Sequence, residues 1–183
     1  MDSRLRLAAA LCALVLAPGA AAQRPGTVEV SGSARYSNFD NSLGLDNTIG
    51  WGGLVAVYVR PSLALELDVA PTSTDGPGEI SAKHTSVRLR LVYNGPVSTR
   101  VHALLGGGVV RNRYGDPYDA SDDGFSALLG LRYRLSDLLA MRFGMDADVM
   151  FHTASDSPFA FYTGNWSLHL GLSAQLNAGG GPQ

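Results

Sequence analysis

The chain has 183 residues, a formal net charge of −2 and only 16% charged residues, a charge density below the roughly 25% usual for soluble domains. This near-neutral balance argues against binding to nucleic acid through a basic surface. Outside the N-terminus, no apolar run approaches the roughly 20 residues that a membrane-spanning helix needs.

The first 22 residues are typical of a secretory signal peptide. Arg4 and Arg6 precede the apolar run LAAALCALVLA, and small residues before Gln23 form a cleavage site. The run is too short for a membrane anchor. Removal of residues 1–22 also removes Cys12, the single cysteine, so the exported chain is expected to form no disulfide and to carry no thiol chemistry.

After this segment the sequence predicts eight β-strands and no helix. The strands are expected at residues 26–38, 49–60, 62–72, 80–94, 99–113, 121–135, 138–152 and 159–176. Short turns near Pro61, Gly95 and Ser136 alternate with longer polar connections at 39–48, 73–79, 114–120 and 153–158. Such alternation is typical of an up-and-down barrel. We therefore predict one all-β, eight-stranded antiparallel barrel over residues 23–176, followed by a flexible tail at 177–183.

The two faces of each predicted strand differ in a way that indicates a membrane barrel. In the third strand, Leu65 and Leu67 share one face, whereas Glu66 and Asp68 share the other. The apolar faces of the other strands are similarly long and nearly free of charge. Alternating segments of about ten residues match strands tilted across a bilayer. The apolar faces are therefore expected to contact lipid, with the charged residues pointing inward.

Ten charged side chains then fall on inward faces. They are Glu29, Arg35, Glu66, Asp68, Arg88, Arg90, Arg132, Arg142, Asp146 and Asp148. Because an unpaired buried charge is costly, these five acids and five arginines are expected to pair. Pairing of the third and fourth strands would bring Glu66 and Asp68 to Arg88 and Arg90. An eight-stranded barrel is wide enough only for its own side chains, which favours a packed polar plug; the alternative is a gated ion path between the pairs.

Aromatic residues fall near both ends of the apolar faces and predict two membrane-interface girdles. Tyr36, Trp51, Phe125, Phe151 and Tyr162 lie at the long-loop end, and Tyr93 and Tyr133 lie at the short-turn end.

The fifth predicted strand departs from the pattern. Arg111 and Arg113 share a face with its apolar residues, and that face is expected to point outward. One interpretation is a β-bulge in the glycine run 106–108 that shifts the phase. A second places both arginines above the hydrocarbon, in contact with lipopolysaccharide phosphates. A third leaves them simply solvated.

The segment LLGLRYRLSDLLAMRFGMDADV, residues 128–149, resembles the Gly-x-Arg-Tyr strand, short turn and following strand of the OmpA/OmpX-like outer-membrane barrels of Gram-negative bacteria. The resemblance covers most of the chain beyond the signal peptide. It implies a monomer in the bacterial outer membrane, inserted by the assembly machinery, with a structural or surface-recognition role through loops whose extracellular partner is unknown. Barrels of this kind usually end on an aromatic residue, whereas the last predicted strand here ends at Leu176.

Some barrels of this kind edit lipid A with a Ser/His pair, which is an alternative function for this chain. The candidate pairs are His152 with Ser155, which has the wrong spacing, and Ser167 with His169, which points inward. No catalytic residue is predicted, because the geometric roles of a nucleophile and its base cannot be assigned. No metal site is predicted, because the histidines lack ligand spacing, and no cofactor is predicted. A further alternative is a soluble periplasmic barrel that binds a small apolar ligand inside. It would need the opposite orientation of the faces and a polar surface rich in Lys, Glu and Thr.

Overall fold

The protein is an eight-stranded antiparallel barrel in the computed structural model, which describes residues 24–40, 43–76, 80–116, 119–151 and 164–176. The strands are β1 (Val28–Asn38), β2 (Thr48–Arg60), β3 (Leu63–Gly76), β4 (Ile80–Pro96), β5 (Val101–Tyr114), β6 (Ala120–Arg134), β7 (Leu139–Met150) and β8 (Gly164–Leu176). Each strand pairs with the next, and β8 pairs with β1 to close the barrel. The predicted fold is confirmed. The predicted signal peptide at 1–22 and the tail at 177–183 lie outside the described residues.

The faces of the strands are reversed relative to a soluble barrel, as predicted. Leu65 and Leu67 are each 46% exposed on the outer surface, whereas Glu66 and Asp68 are each 1% exposed inside. The same alternation runs along β7, where every second residue from Ala140 to Met150 is buried. In the described part of the chain, no helix is long and apolar enough to cross a membrane.

Two connections differ from the sequence-based prediction. β3 continues to Gly76 and β4 begins at Ile80, so the polar connection expected at 73–79 shrinks to 77–79. The turn expected at residues 94–96 lies instead at 97–100, because β4 still pairs through Pro96 with His102. Polar and turn-forming residues therefore remain within the paired strands at both places, because pairing with the neighbouring strand outweighs their local preference for turns.

The proposed bulge in the glycine run of β5 is wrong. The pairing of β5 with β4 and with β6 runs without a shift through residues 106–108. Crowding explains the glycine at position 108: a methyl group on Gly108 would overlap the carbonyl oxygen of Leu89 and lie 2.7 Å from the Cα of Arg90. Because the alternation of inward and outward residues along β5 is not interrupted, Arg111 and Arg113 are both exposed on the outer surface.

Candidate functional site

The barrel interior holds a set of buried charges from five of the eight strands that line it. All ten charged residues assigned to the interior from the sequence lie there, and none is more than 3% exposed. Arg35, on β1, lies between two aspartates: its guanidinium donates to Asp68 at 2.9 Å and 3.0 Å and to Asp146 at 2.7 Å. Because β1 neighbours neither β3 nor β7, this arginine links elements across the barrel.

The register of β3 and β4 accounts for the next group of ion pairs. Glu66 lies opposite Arg90, and Asp68 lies opposite Arg88. Arg90 donates to Glu66 at 2.7 Å, and Arg88 donates to Asp68 at 3.2 Å. Arg90 also bonds to Asp146 across the barrel. The cross-strand pairs proposed from the sequence are therefore present, and each arginine also reaches a second acid.

Two further acids extend the network towards opposite ends of the barrel. Asp148 accepts hydrogen bonds from Arg88, the shortest at 2.7 Å. Towards the short turns, Arg142 donates to Glu66 at 2.6 Å and to Glu29 at 3.2 Å, and Arg132 lies 3.3 Å from Glu29. The ten charges thus form one connected set in which neighbouring charges alternate in sign.

Neutral side chains also hydrogen-bond to Glu29, and the sequence did not identify them as partners of this acid. The hydroxyl of Tyr58 donates to Glu29 at 3.0 Å, and the Gln175 amide donates at 3.2 Å. Asn94 in turn donates to the Tyr58 hydroxyl at 2.8 Å. Each of the three is on the inward phase of its strand, so the alternation gave a signal for them, although it could not show which acid they bind.

Two buried apolar clusters adjoin the ion-pair network. At the long-loop end, Phe39, Leu45, Ala82 and Tyr114 form a buried cluster. The ring of His84 packs edge-on against Phe39, with ring centroids 4.9 Å apart. A second buried cluster of Leu54, Ala56, Tyr58 and Ala64 lies on β2 and β3 beside the ion pairs, since Leu54 is opposite Asp68 and Ala56 is opposite Glu66.

The inward Ser/His pair considered for catalysis does not have the geometry of a nucleophile and its base. The Ser167 hydroxyl lies 3.1 Å from Asp146, and Nδ1 of His169 lies 3.1 Å from the same carboxylate oxygen. Both side chains therefore bind one acid of the ion-pair network inside the barrel. The other pair, His152 and Ser155, lies outside the described residues.

The aromatic residues assigned to the two girdles lie on the outer surface where they are described. Trp51 is 67% exposed, Phe125 58%, Tyr133 42%, Phe151 38% and Tyr36 37%, with Tyr93 half-buried. Tyr162 lies outside the described residues. Trp166 was missed as a girdle residue; it faces outward and packs against Tyr36, with ring centroids 5.7 Å apart.

The two outward arginines of β5 have different surroundings. Arg111 forms a bidentate ion pair with Asp123, both bonds at 2.7 Å, on the exposed surface. Arg113 is exposed, opposite Thr85 of β4 and Ser121 of β6. Lys83, the single lysine of the chain, is also exposed and comes two residues before Thr85 on the same face of β4. This outer surface therefore has three cations on two adjacent strands.

Comparisons with known proteins agree with this geometry. A family model described as outer membrane protein beta-barrel domain matches residues 7–179. The fold is similar to OprG from Pseudomonas aeruginosa, with 14% identity and a TM-score of 0.63 over 87% of this chain and 100% of that one. It is also similar to Neisserial surface protein A, with 13% identity and a TM-score of 0.60 over 82% and 96% of the two chains.

A third similar structure is Ail, the attachment invasion locus protein of Yersinia pestis, in complex with the heparin analogue sucrose octasulfate. The identity is 12% and the TM-score is 0.53, over 82% of this chain and 99% of that one. Likeness at these identities shows the fold. No curated protein matches the sequence significantly.

Proposed function

The chain belongs to the outer membrane protein β-barrel domain family, and from that premise we propose that it is a non-enzymatic, non-conducting barrel that anchors surface loops in the bacterial outer membrane. Export by a cleaved signal peptide at residues 1–22, insertion by the outer-membrane assembly machinery and a monomeric state are parts of the same proposal. The apolar outer faces of the strands would hold the barrel in lipid, and the loops would carry its recognition.

The observation that carries this proposal is the connected network of ten buried charges. A conducting pore of this width would need water and mobile ions along its axis, whereas here arginine and carboxylate side chains bond to one another across it. Opening a path would require separating several buried ion pairs, and a buried charge without its partner is costly. The ion path left open by the sequence is therefore disfavoured.

Conductance tests the closed interior directly. Purified protein inserted in a planar bilayer in concentrated KCl is expected to give no resolvable current steps, because the ion pairs cross the barrel interior and apolar side chains pack beside them. The matched variant is Glu29→Ala with Arg142→Ala, which removes two long side chains from one end while keeping the charge balance; it is expected to stay closed, because Asp68, Arg88, Asp146 and Asp148 are untouched. Regular steps from the unaltered protein would refute the proposal.

The charge of the connections at the long-loop end indicates which kind of surface partner they suit. The segments 39–47, 77–79, 115–119 and 151–163 contain six acidic residues and no lysine or arginine: Asp40, Asp46, Glu79, Asp116, Asp119 and Asp156. Long-range attraction would therefore favour a partner with a basic surface. A polyanion such as the heparin analogue bound to Ail would be repelled by these loops.

Contact with lipid and lipopolysaccharide is a further part of the proposal. Arginine suits phosphate because its planar group can donate two parallel hydrogen bonds. Arg113 is the better candidate of the two β5 arginines, since Arg111 already uses its guanidinium on Asp123. Catalysis on lipid A is disfavoured by the binding of Ser167 and His169 to Asp146.

A further inference from the structure

A pocket of about 330 Å³ opens in the barrel wall between β2 and β3, towards the long-loop end. The ladder between these strands runs from Arg60↔Leu63 to Gly53↔Val69. Beyond this point the two segments rejoin through the Thr48 hydroxyl, which donates to the carbonyl oxygen of Ser73 at 2.9 Å. The pocket lies in the intervening gap.

Pro71 accounts for the gap. Its carbonyl oxygen faces Gly50 of β2, and in an antiparallel strand the N–H and C=O of one residue point to the same neighbour. Proline has no N–H to donate, so β3 loses a ladder bond to β2 here, while the opposite edge still pairs Pro71 with Thr85 of β4. Proline inside a sheet is usually confined to such an interruption.

Gly50 gives the pocket its depth. A methyl group at this position would overlap the hydroxyl of Thr72 and lie 3.2 Å from the carbonyl oxygen of Pro71. Without that group, the opening reaches from the outer surface to Thr72 and His84, two residues on the inward face that line the pocket. The pocket therefore joins lipid-facing and interior side chains.

Both inward residues present buried polar atoms without partners. The hydroxyl of Thr72 makes no hydrogen bond within the described part of the chain, and neither ring nitrogen of His84 has a partner in good hydrogen-bonding geometry there, although the two residues are only 7% and 4% exposed. Asn112 is the neighbour best placed to bond to the His84 ring, and one amide can serve only one of its two nitrogens, so the Thr72 hydroxyl and the other ring nitrogen stay open. Buried polar atoms are rarely left unpaired in folded proteins, which points to a ligand with polar atoms.

The rim of the pocket combines apolar and cationic side chains. Ile49 and Trp51 are 76% and 67% exposed on the outer surface, where an acyl chain could pack on them. Lys83 lies on the other side of the opening, and Arg113 is the cross-strand neighbour of the lining residue Thr85. An apolar side and a cationic side next to each other match the two ends of an anionic lipid.

We propose that this pocket binds the phosphate-bearing headgroup of an anionic membrane lipid. Lys83 binds the phosphate, Thr72 and His84 bond to headgroup oxygens, and the first part of the acyl chain packs on Ile49 and Trp51. The volume is at the lower end of the roughly 300–1,000 Å³ usual for ligand pockets, which suits a headgroup and not a whole lipid. The inference rests on the proposed function, because it requires the outer surface to face lipid.

Titration with a short-chain lipid tests the site. Isotope-labelled protein in dodecyl maltoside micelles, which contain no phosphate, is titrated with dihexanoyl phosphatidic acid while the amide NMR signals of Thr72, Lys83 and His84 are followed. We expect saturable shifts at these residues. Dihexanoylglycerol, which lacks the phosphate, and inorganic phosphate, which lacks the chains, are each expected to bind at least about tenfold more weakly.

Two variants and a control complete the test. Lys83→Gln is expected to weaken binding about tenfold through the loss of a charged hydrogen-bond donor, and Gly50→Ala is expected to abolish it by filling the pocket. Arg100→Gln, an exposed cation in the turn at the opposite end, should leave the affinity unchanged. The inference is overturned by unsaturable shifts, by equal binding of inorganic phosphate or by an affinity insensitive to Lys83→Gln. If phosphatidic acid does not bind and the planar-bilayer measurement still shows no current steps, only this inference fails and the proposed function stands.

Discussion

Replacing Asp146 with alanine is expected to lower the free energy of unfolding by about 3–5 kcal/mol, the usual effect of removing one partner from a buried ion pair. Asp146 is fully buried and accepts hydrogen bonds from Arg35 and from the Ser167 hydroxyl. It also pairs with Arg90. Without this carboxylate, two buried guanidinium groups lose an acid that they share.

The matched control is Asp123→Ala, which breaks the ion pair with Arg111 on the outer surface. Its two side chains are 65% and 57% exposed, and exposed pairs contribute only about 0–1 kcal/mol. Urea titration of both variants in the same detergent, with tryptophan fluorescence as the readout, measures the difference. Equal losses from Asp146→Ala and Asp123→Ala would contradict a stabilising role for the buried network.

A second large effect is expected from adding one methyl group to the glycine run of β5. Gly108→Ala would drive its Cβ into the carbonyl oxygen of Leu89 and to 2.7 Å from the Cα of Arg90. Both are backbone atoms, so relief requires the neighbouring strand to move, and we expect a loss of about 3 kcal/mol in stability.

The adjacent position supplies the control. Gly107 faces outward, and a Cβ there would meet nothing within 4 Å. Gly107→Ala is therefore expected to be neutral or slightly stabilising, because glycine inside a strand costs about 0.5–1 kcal/mol relative to alanine. The yield of the compact band on unheated detergent gels, with urea midpoints for what folds, compares the two. Wild-type stability of Gly108→Ala would show that β5 does not lie this close to β4.

The sequence predicts the neighbouring ion pairs but not those that cross the barrel. A period of two places Glu66 and Asp68 on the inward face, and adjacency of the third and fourth strands brings Arg88 and Arg90 opposite them. By contrast, the bonds of Arg35 to Asp68 and Asp146 depend on the barrel radius and on how far a side chain reaches. Neither quantity is contained in the alternation of one strand.

The pocket between β2 and β3 could not be predicted from the sequence either. Pro71 signals an interrupted ladder, but the sequence places the end of the third strand at residue 72, where a proline is unremarkable near a strand end. Only the continuation of β3 to Gly76 makes Pro71 an internal residue and creates a gap with intact strand on both sides. The bulge expected at 106–108 is absent because the pairing there is continuous; Gly108 is required by the close approach of β4 and not by a change of phase.

The most direct test of the account is quenching of the natural tryptophans by lipid. The chain has two tryptophans, Trp51 and Trp166, and both face outward on the barrel. The protein is reconstituted in phosphatidylcholine vesicles with and without bromine atoms on the acyl chains. If the apolar faces contact lipid, the emission is expected to fall clearly in the brominated vesicles; equal emission in both would contradict the outward orientation on which the account depends.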